Sequence, residues 1–379
     1  MTKHAAFAVV TPGFEPVVEA ELRALGATDA VAEPGGVTFS ADDALLLDAN
    51  LRLRAATRVV VRIAEFTAKS FSELERRAKP VPWKRYVAHG TQVGFRVTCK
   101  KSRLYHSGAV EERLAKWLAA AVPGAELTPM GDDEDDAVAA VPAQLFVVRI
   151  LRDVCTISAD SSGELLHRRG YRLATAKAPI RETIAAGCLL ALGYDGSEAL
   201  LDPMCGAGTI PIEAALIARN IAPGIQRAFA CERWPSFGPK IGVVRRAVAR
   251  AAERPAVAPI LGSDRDAGAV ESALANAKRA GVGDIVTLEK RALSAAEPPT
   301  PGGLLLTNPP YGARIGESAD LRNLYAQLGN RARTALAGWR VALVSGDSAL
   351  DGHTKLKFDQ VLRFSNGGIK VRLVATPKA

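Results

Sequence analysis

Short apolar runs and longer apolar stripes at helical spacing alternate along this chain, and the rhythm divides it into three parts. In residues 1–60 it predicts a strand over Phe7–Val10 and a helix over Phe14–Leu25, with Val17, Val18, Leu22 and Leu25 on one face. A strand over Val37–Phe39 and a helix over Ala41–Leu53 follow. Arg58–Ile63 opens the second part, which reaches residue 160. It holds helices over Ser72–Ala78 and Gly108–Ala121 and strands over Gln92–Thr98, Gln144–Leu151 and Val154–Ala159. This alternation suits two small α+β domains, 1–60 and 61–160. From 181 to 379 strands near 199–202, 258–262, 285–289, 303–307 and 340–345 are separated by helical stripes, the pattern of a parallel α/β sheet. The end reads as a hairpin, Phe358–Phe364 and Ile369–Ala375, around Ser365-Asn366-Gly367-Gly368. Between Asn220 and Pro255 lies an insertion with Trp234 and a basic helix, Lys240–Arg254; the tryptophan suits packing and substrate contact equally.

Charge sharpens this division. The 379 residues carry 49 Lys and Arg against 40 Asp and Glu, a net charge of +9 that is compatible with a polyanionic partner. Basic residues gather in the connector 161–180, at Arg168, Arg169 and Arg172, and in Lys100, Lys101 and Arg103 before the Gly108–Ala121 helix. Asp132–Asp136 is an all-acidic run expected to form a solvated loop turned away from such a partner. No apolar run approaches the roughly 20 residues of a membrane span, and the first residues lack the core of a signal peptide. Five scattered cysteines without a C-x-x-C pair predict a reducing, cytoplasmic setting, and neither they nor the five histidines show metal-ligand spacing, so no metal is expected.

Two stretches carry chemistry. Leu201-Asp202 ends a strand and runs into Pro203-Met204-Cys205-Gly206-Ala207-Gly208-Thr209, a glycine turn into a helix that lets backbone approach a ligand. The turn lacks the third glycine of the dinucleotide fingerprint and the Gly-Lys-Ser/Thr end of a phosphate loop. A second strand ends in Asp264, an acid suited to ribose hydroxyls. About a hundred residues downstream of the first, Asn308-Pro309-Pro310-Tyr311 leaves the apolar run Leu304–Leu306. Two prolines stiffen that turn and remove two N–H donors, leaving carbonyl acceptors. Together with the Asn308 side-chain oxygen and the Tyr311 ring they make a clamp for the exocyclic amine of a planar base.

These segments, with His167-Arg168-Arg169-Gly170-Tyr171-Arg172 and Ala178-Pro179-Ile180-Arg181-Glu182-Thr183, resemble the THUMP-domain methyltransferases, in particular bacterial 23S rRNA guanine-N2 methyltransferases of the RlmL type. The resemblance spans essentially the whole chain and is most specific in its second half. It implies a ferredoxin-like α+β domain, a THUMP RNA-binding α+β domain and a C-terminal Rossmann-like class I methyltransferase domain. By the same resemblance the cofactor is S-adenosylmethionine, bordered by Pro179, Thr183, Asp202, Pro203, Met204, Cys205, Gly206, Gly208, Thr209 and Asp264. Asn308, Pro309, Pro310 and Tyr311 would hold the guanine, and Lys100, Lys101, Arg103, Arg168, Arg169 and Arg172 the RNA. Fused versions of the enzyme carry a second methyltransferase domain, so a single modification is expected here. The chain departs from its relatives after the third sheet strand, where Arg291 or Ala292 replaces an Asp that holds the cofactor's adenine. That implies weaker cofactor affinity, or a substitute in Ser294 or a backbone carbonyl. Methylation of tRNA, N6-methylation of adenine in DNA, and a non-catalytic RNA-binding role on the same fold are the rival readings.

Overall fold

The computed structural model describes residues 3–128, 143–173, 180–311 and 318–378, so Asp132–Asp136, Pro179 and Gly312 fall outside the described residues. The chain folds into two compact units. One comprises Met1–Val9, Glu19–Leu166 and Arg227–Ala247, the other Val10–Val18, His167–Gln226 and Val248–Ala379.

The first unit is built on β1 (His4–Val10), α1 (Glu15–Ala24), β2 (Val31–Glu33), β3 (Gly36–Ala41), α2 (Asp43–Arg52), β4 (Ala56–Thr67), α3 (Phe71–Ala78), β5 (Gln92–Lys100), α4 (Ser107–Ala121), β6 (Glu126–Leu127), β7 (Gln144–Leu151) and β8 (Val154–Asp160). Its strands form one eight-stranded sheet in the order β2-β3-β1-β4-β8-β7-β5-β6. The boundary expected at 60/61 falls inside β4, a twelve-residue strand placed between β1 and β8. Alternate residues of β1 (His4, Ala6, Ala8, Val10) are buried, the period of a strand with one covered face. Trp83 is fully buried, its ring edge-on to Phe146 at 5.0 Å and to Phe95 at 6.2 Å.

The rest of the chain supplies α5 (Glu182–Ala191), β9 (Leu200–Asp202), α6 (Thr209–Ala218), α7 (Ile241–Ala251), β10 (Ile260–Asp264), α8 (Ala267–Arg279), β11 (Val286–Lys290), β12 (Gly303–Thr307), α9 (Ser318–Arg333), β13 (Trp339–Ser345), α10 (Ser348–His353), β14 (Asp359–Asn366) and β15 (Ile369–Ala375). In the second unit these build a seven-stranded sheet, β11-β10-β9-β12-β13-β15-β14. The first five strands run parallel, while β15 is antiparallel to both β13 and β14. Strand order reverses between β9 and β12, which pair directly at Leu200↔Leu304 and Leu201↔Leu305. In open α/β sheets ligands bind beyond the carboxyl ends of the strands at such a reversal. Every residue of α6 is buried, as in a helix that is apolar all round.

The insertion belongs to the first unit over Arg227–Ala247. The Trp234 indole is buried and its Nε1–H donates to Gln144 Oε1 at 2.6 Å, so this residue packs and does not wait for substrate. Arg245 forms a two-pronged ion pair with Asp48, its Nε 2.9 Å from Oδ1, and Arg246 pairs with Glu232 at 2.7 Å.

Candidate active site

Asp202 and Thr307 close adjacent parallel strands, and the Thr307 hydroxyl donates to Asp202 Oδ1 at 2.7 Å. Both side chains are buried. The carboxylate also accepts the Met204 N–H at 3.1 Å. Burial raises the Asp202 pKa to about 7 and the nearby charge of Asp264 adds to the rise, while the two hydrogen bonds oppose it. The next residue, Asn308, carries a buried Oδ1 with no hydrogen-bond partner among the described residues. A buried amide oxygen left unpaired costs about 1–3 kcal/mol, and its pairing by a ligand N–H would recover that. The two motifs are therefore joined by one hydrogen bond, through a residue that sequence reasoning passed over. Its only signal is a hydroxyl closing the apolar run Leu304-Leu305-Leu306-Thr307.

The loop after β9 is tied to the end of β10. Cys205 N–H donates to the Ser263 carbonyl at 2.9 Å, and Gly206 N–H to Asp264 Oδ2 at 3.0 Å; Asp264 Oδ1 accepts from Asp266 N–H at 2.9 Å. Each oxygen of Asp264 keeps a further lone pair, so the acid can receive a diol as well as hold the loop. The two glycines have different uses. At Gly206, with φ +53°, a Cβ would point into open space, so the backbone there is open to close approach. At Gly208, with φ +83°, a Cβ would come within 2.9 Å of Ala273 Cβ on α8, so that glycine serves helix packing. The Cys205 thiol is buried, which pushes its pKa up and leaves it an inert small residue. Pro203 is buried beside it.

Two more buried hydroxyls, Thr183 Oγ1 at the start of α5 and Ser263 Oγ at the end of β10, have no hydrogen-bond partner among the described residues. With Asp202, Asp264 and the open face of Gly206 they supply the acceptors and donors that a charged amine and a ribose require. The group implied by the resemblance fits the residues present. After β11, Arg291 pairs with Glu289 at 2.9 Å and Ala292 opens a short turn.

Tyr311 is half-buried, and burial pushes its phenol pKa up. Asn366 Nδ2 donates to its hydroxyl at 3.2 Å, and a Cβ on Gly346 would come within 2.4 Å of its ring. Gly346 is therefore what lets the ring lie against the end of β13. Tyr325 donates to the Pro310 carbonyl at 3.4 Å and steadies the turn from α9. Neither Gly346 nor Asn366 could be tied to the tetrad from sequence spacing, because both reach it through the sheet.

The basic connector is divided by the fold, and this corrects the expectation for two of its arginines. Arg169 is 4% exposed and lies 3.6 Å from Glu213, whose Oε1 also accepts the Tyr171 hydroxyl at 3.0 Å. Arg172 lies 3.0 Å from Glu182 and donates to the Ile180 carbonyl at 2.7 Å and to Thr209 Oγ1 at 2.8 Å. These guanidiniums answer buried carboxylates and join the starts of α5 and α6, instead of facing a phosphate. Arg168 is half-exposed. In the first unit Lys100, Lys101 and Arg103 are all exposed at the end of β5. Their loop is fastened to the β7–β8 turn: Arg103 N–H donates to Asp153 Oδ1 at 2.7 Å and Asp153 N–H to Ser102 Oγ at 3.0 Å. The Arg152 N–H donates to the Lys100 carbonyl at 3.2 Å, and this exposed arginine adds a cation that no sequence motif announced.

A parallel sheet with strand order reversed at β9 and β12, an antiparallel penultimate strand and acids at the ends of β9 and β10 define a class I methyltransferase fold. Residues 169–374 match the RMKL-like methyltransferase domain and residues 5–60 the RlmL ferredoxin-like domain. The chain belongs to the RMKL-like methyltransferase family. It is 34% identical over 97% of its length to a candidate RNA methyltransferase of Synechocystis sp., covering 95% of that protein. It is 33% identical to the ribosomal RNA large subunit methyltransferase K/L of Syntrophotalea carbinolica over 97% of this chain and 53% of that one. The chain thus spans about half the length of the K/L relatives it matches. Among solved structures, SMU.472, a candidate methyltransferase complexed with SAH, superimposes with a TM-score of 0.89 at 29% identity, covering 100% of this chain and 99% of that one. Among the described residues no helix is long and apolar enough to cross a membrane.

Proposed function

We propose that this chain methylates the exocyclic N2 amine of a guanosine in RNA, with 23S rRNA as the first substrate to test. The reading is carried by the buried Oδ1 of Asn308, which has no hydrogen-bond partner among the described residues and lies one residue from the Thr307–Asp202 link at the strand-order reversal. The methyl donor is S-adenosylmethionine, whose sulfonium supplies an electrophilic methyl carbon.

Asp202 anchors a cationic amine in its ionised form, Asp264 receives a ribose diol, and Gly206 gives the backbone room for close approach. The target base leaves its stack, since a stacked amine cannot reach the site. Asn308 Oδ1 and the Pro309 carbonyl then accept its two N–H bonds, and Tyr311 stacks on its face. Both acceptors pull the nitrogen lone pair out of conjugation and direct it along the line of displacement. Orientation of this kind contributes several kcal/mol to a one-step transfer. No strong general base is required: the N–C bond forms as the donor's C–S bond breaks to leave a neutral thioether, and the amine, acidic only once it carries the methyl group, then releases its proton to solvent. Residues 61–160, proposed as a THUMP RNA-binding domain, would present Lys100, Lys101 and Arg103 to phosphates, with Arg168 as a further contact. Such contacts position RNA without specifying the base.

The test is methyl transfer from labelled cofactor to total rRNA, tRNA and genomic DNA, followed by nucleoside analysis. N2-methylguanosine in rRNA supports the reading, and the same nucleoside in tRNA moves the substrate. Label in N6-methyladenine of DNA, or in none of the three, overturns it.

A further inference from the structure

We infer that a second, cationic subsite beside Tyr311 holds the nucleotide adjoining the target base; the inference rests on the RNA reading above. A cavity of about 560 Å³ lies at the end of β13 against the β14–β15 hairpin, lined among others by Ser345, Gly346, Ser348, Arg363, Ser365 and Lys370. Ligand pockets run from about 300 to 1,000 Å³, so one nucleotide fits. Gly346 is a shared wall, because its backbone lies in the cavity lining and against the Tyr311 ring. Asn366, which follows Ser365, donates to the Tyr311 hydroxyl. A base stacked on Tyr311 therefore has this cavity as its neighbour.

The hairpin register concentrates positive charge there. Arg363 is paired with Arg372 across the strands and Ser365 with Lys370, which places all four on one face. Like charges directly opposite each other destabilise a sheet unless something answers them. Arg372 is answered by Asp351 at 2.8 Å, whose same oxygen accepts the Ser345 hydroxyl at 2.8 Å. Of the acids nearby, Asp347 has its Oδ1 taken by the Ala349 and Leu350 N–H groups, and Glu15 accepts the N–H of Gly13, a cavity-lining residue, at 2.6 Å. The Arg363 side chain donates to the neutral Gln360 at 2.6 Å, and among the described residues neither Arg363 nor Lys370 forms an ion pair. Two cations that form no ion pair among the described residues, beside hydroxyls in a nucleotide-sized cavity, recognise a phosphodiester, and their place next to Tyr311 assigns it to the linkage flanking the target.

The experiment measures RNA binding at equilibrium across a salt series for the protein, for Arg363→Ala combined with Lys370→Ala, and for the charge-preserving Arg363→Lys. Each lost phosphate contact on a single strand lowers the slope of log affinity against log salt by about 0.7. The double variant is expected to lose about 0.7 from that slope, the share of one phosphate, and to bind more weakly by about fivefold to tenfold. Arg363→Lys should keep the slope, and all three should bind cofactor alike. An oligonucleotide with a neutral methylphosphonate at the flanking linkage should lower the slope of the unmodified protein and leave the double variant unaffected. Equal slopes for protein and double variant overturn the subsite. Binding is read without turnover, so this failure is distinct from the absence of methyl transfer, which would overturn the parent reading instead.

Discussion

A carboxylate shut away from water depends on the few donors around it, and Asp202 has the Thr307 hydroxyl and the Met204 N–H. Its pKa of about 7 makes the protein's response to pH specific. Between the ordinary carboxylate pKa of about 4 and pH 7, the native chain keeps a proton that the unfolded chain has lost. Stability of the cofactor-free protein should therefore fall as pH rises through that window. Cofactor affinity should run the other way, because a cationic amine needs the ionised acid. Below pH 7 the dissociation constant should rise about tenfold per pH unit, and Asp202→Asn should abolish that dependence. Urea melts of the cofactor-free protein between pH 4 and 8 check the first sign, and titration calorimetry between pH 5.5 and 8.5 the second. Thr307→Val keeps the shape and removes the donor, at a cost of about 1.5–3 kcal/mol for a hydrogen bond to a charged group. It should move the pH midpoint of cofactor binding upward, with Thr307→Ser restoring it. Gly346→Ala should displace the Tyr311 ring and lower turnover about tenfold or more while the fold is retained, as near-ultraviolet dichroism would report.

The elements that carry the site were legible because their signals are local. The runs around Leu200, Ile260, Val286, Leu304 and Val341 became β9 to β13 within a residue or two, and the Asn366-Gly367-Gly368 turn became the closing hairpin. Pairing was not legible. Nothing near Val60 shows that β4 joins two expected domains into one sheet, since its partner β8 lies about a hundred residues away. The connector arginines were misread for a similar reason. A surface arginine and one that neutralises a buried Glu look alike until α6 shows Glu213 fully buried beside it. This makes a prediction about the element and not about RNA. Arg169→Ala leaves Glu213 buried without its cation, which should cost about 3–5 kcal/mol. A urea melt should show that loss, while the salt slope of RNA binding stays unchanged. If stability held and the slope fell, the original placement on the RNA face would return.

At the scale of the whole molecule, a net charge of +9 announces a polyanion without locating it. The structure leaves exposed lysines and arginines at the end of β5, joined by Arg152 through the β7–β8 turn, as the first unit's candidates. Replacing Lys100, Lys101 and Arg103 together by Ala should reduce the salt slope by about 2 and weaken every RNA alike, because phosphate contacts carry no sequence information. The phosphate-contact variants leave the chemistry untested. That depends on the buried side-chain oxygen of Asn308, without a partner among the described residues, presenting a nucleobase amine to the donor's methyl carbon. Single-turnover transfer by Asn308→Ala, measured beside its cofactor dissociation constant, addresses this directly. The transfer rate should drop by about a hundredfold or more, the scale of losing one preorganised polar group, with cofactor binding nearly unchanged. A rate close to that of the unaltered protein would contradict the account.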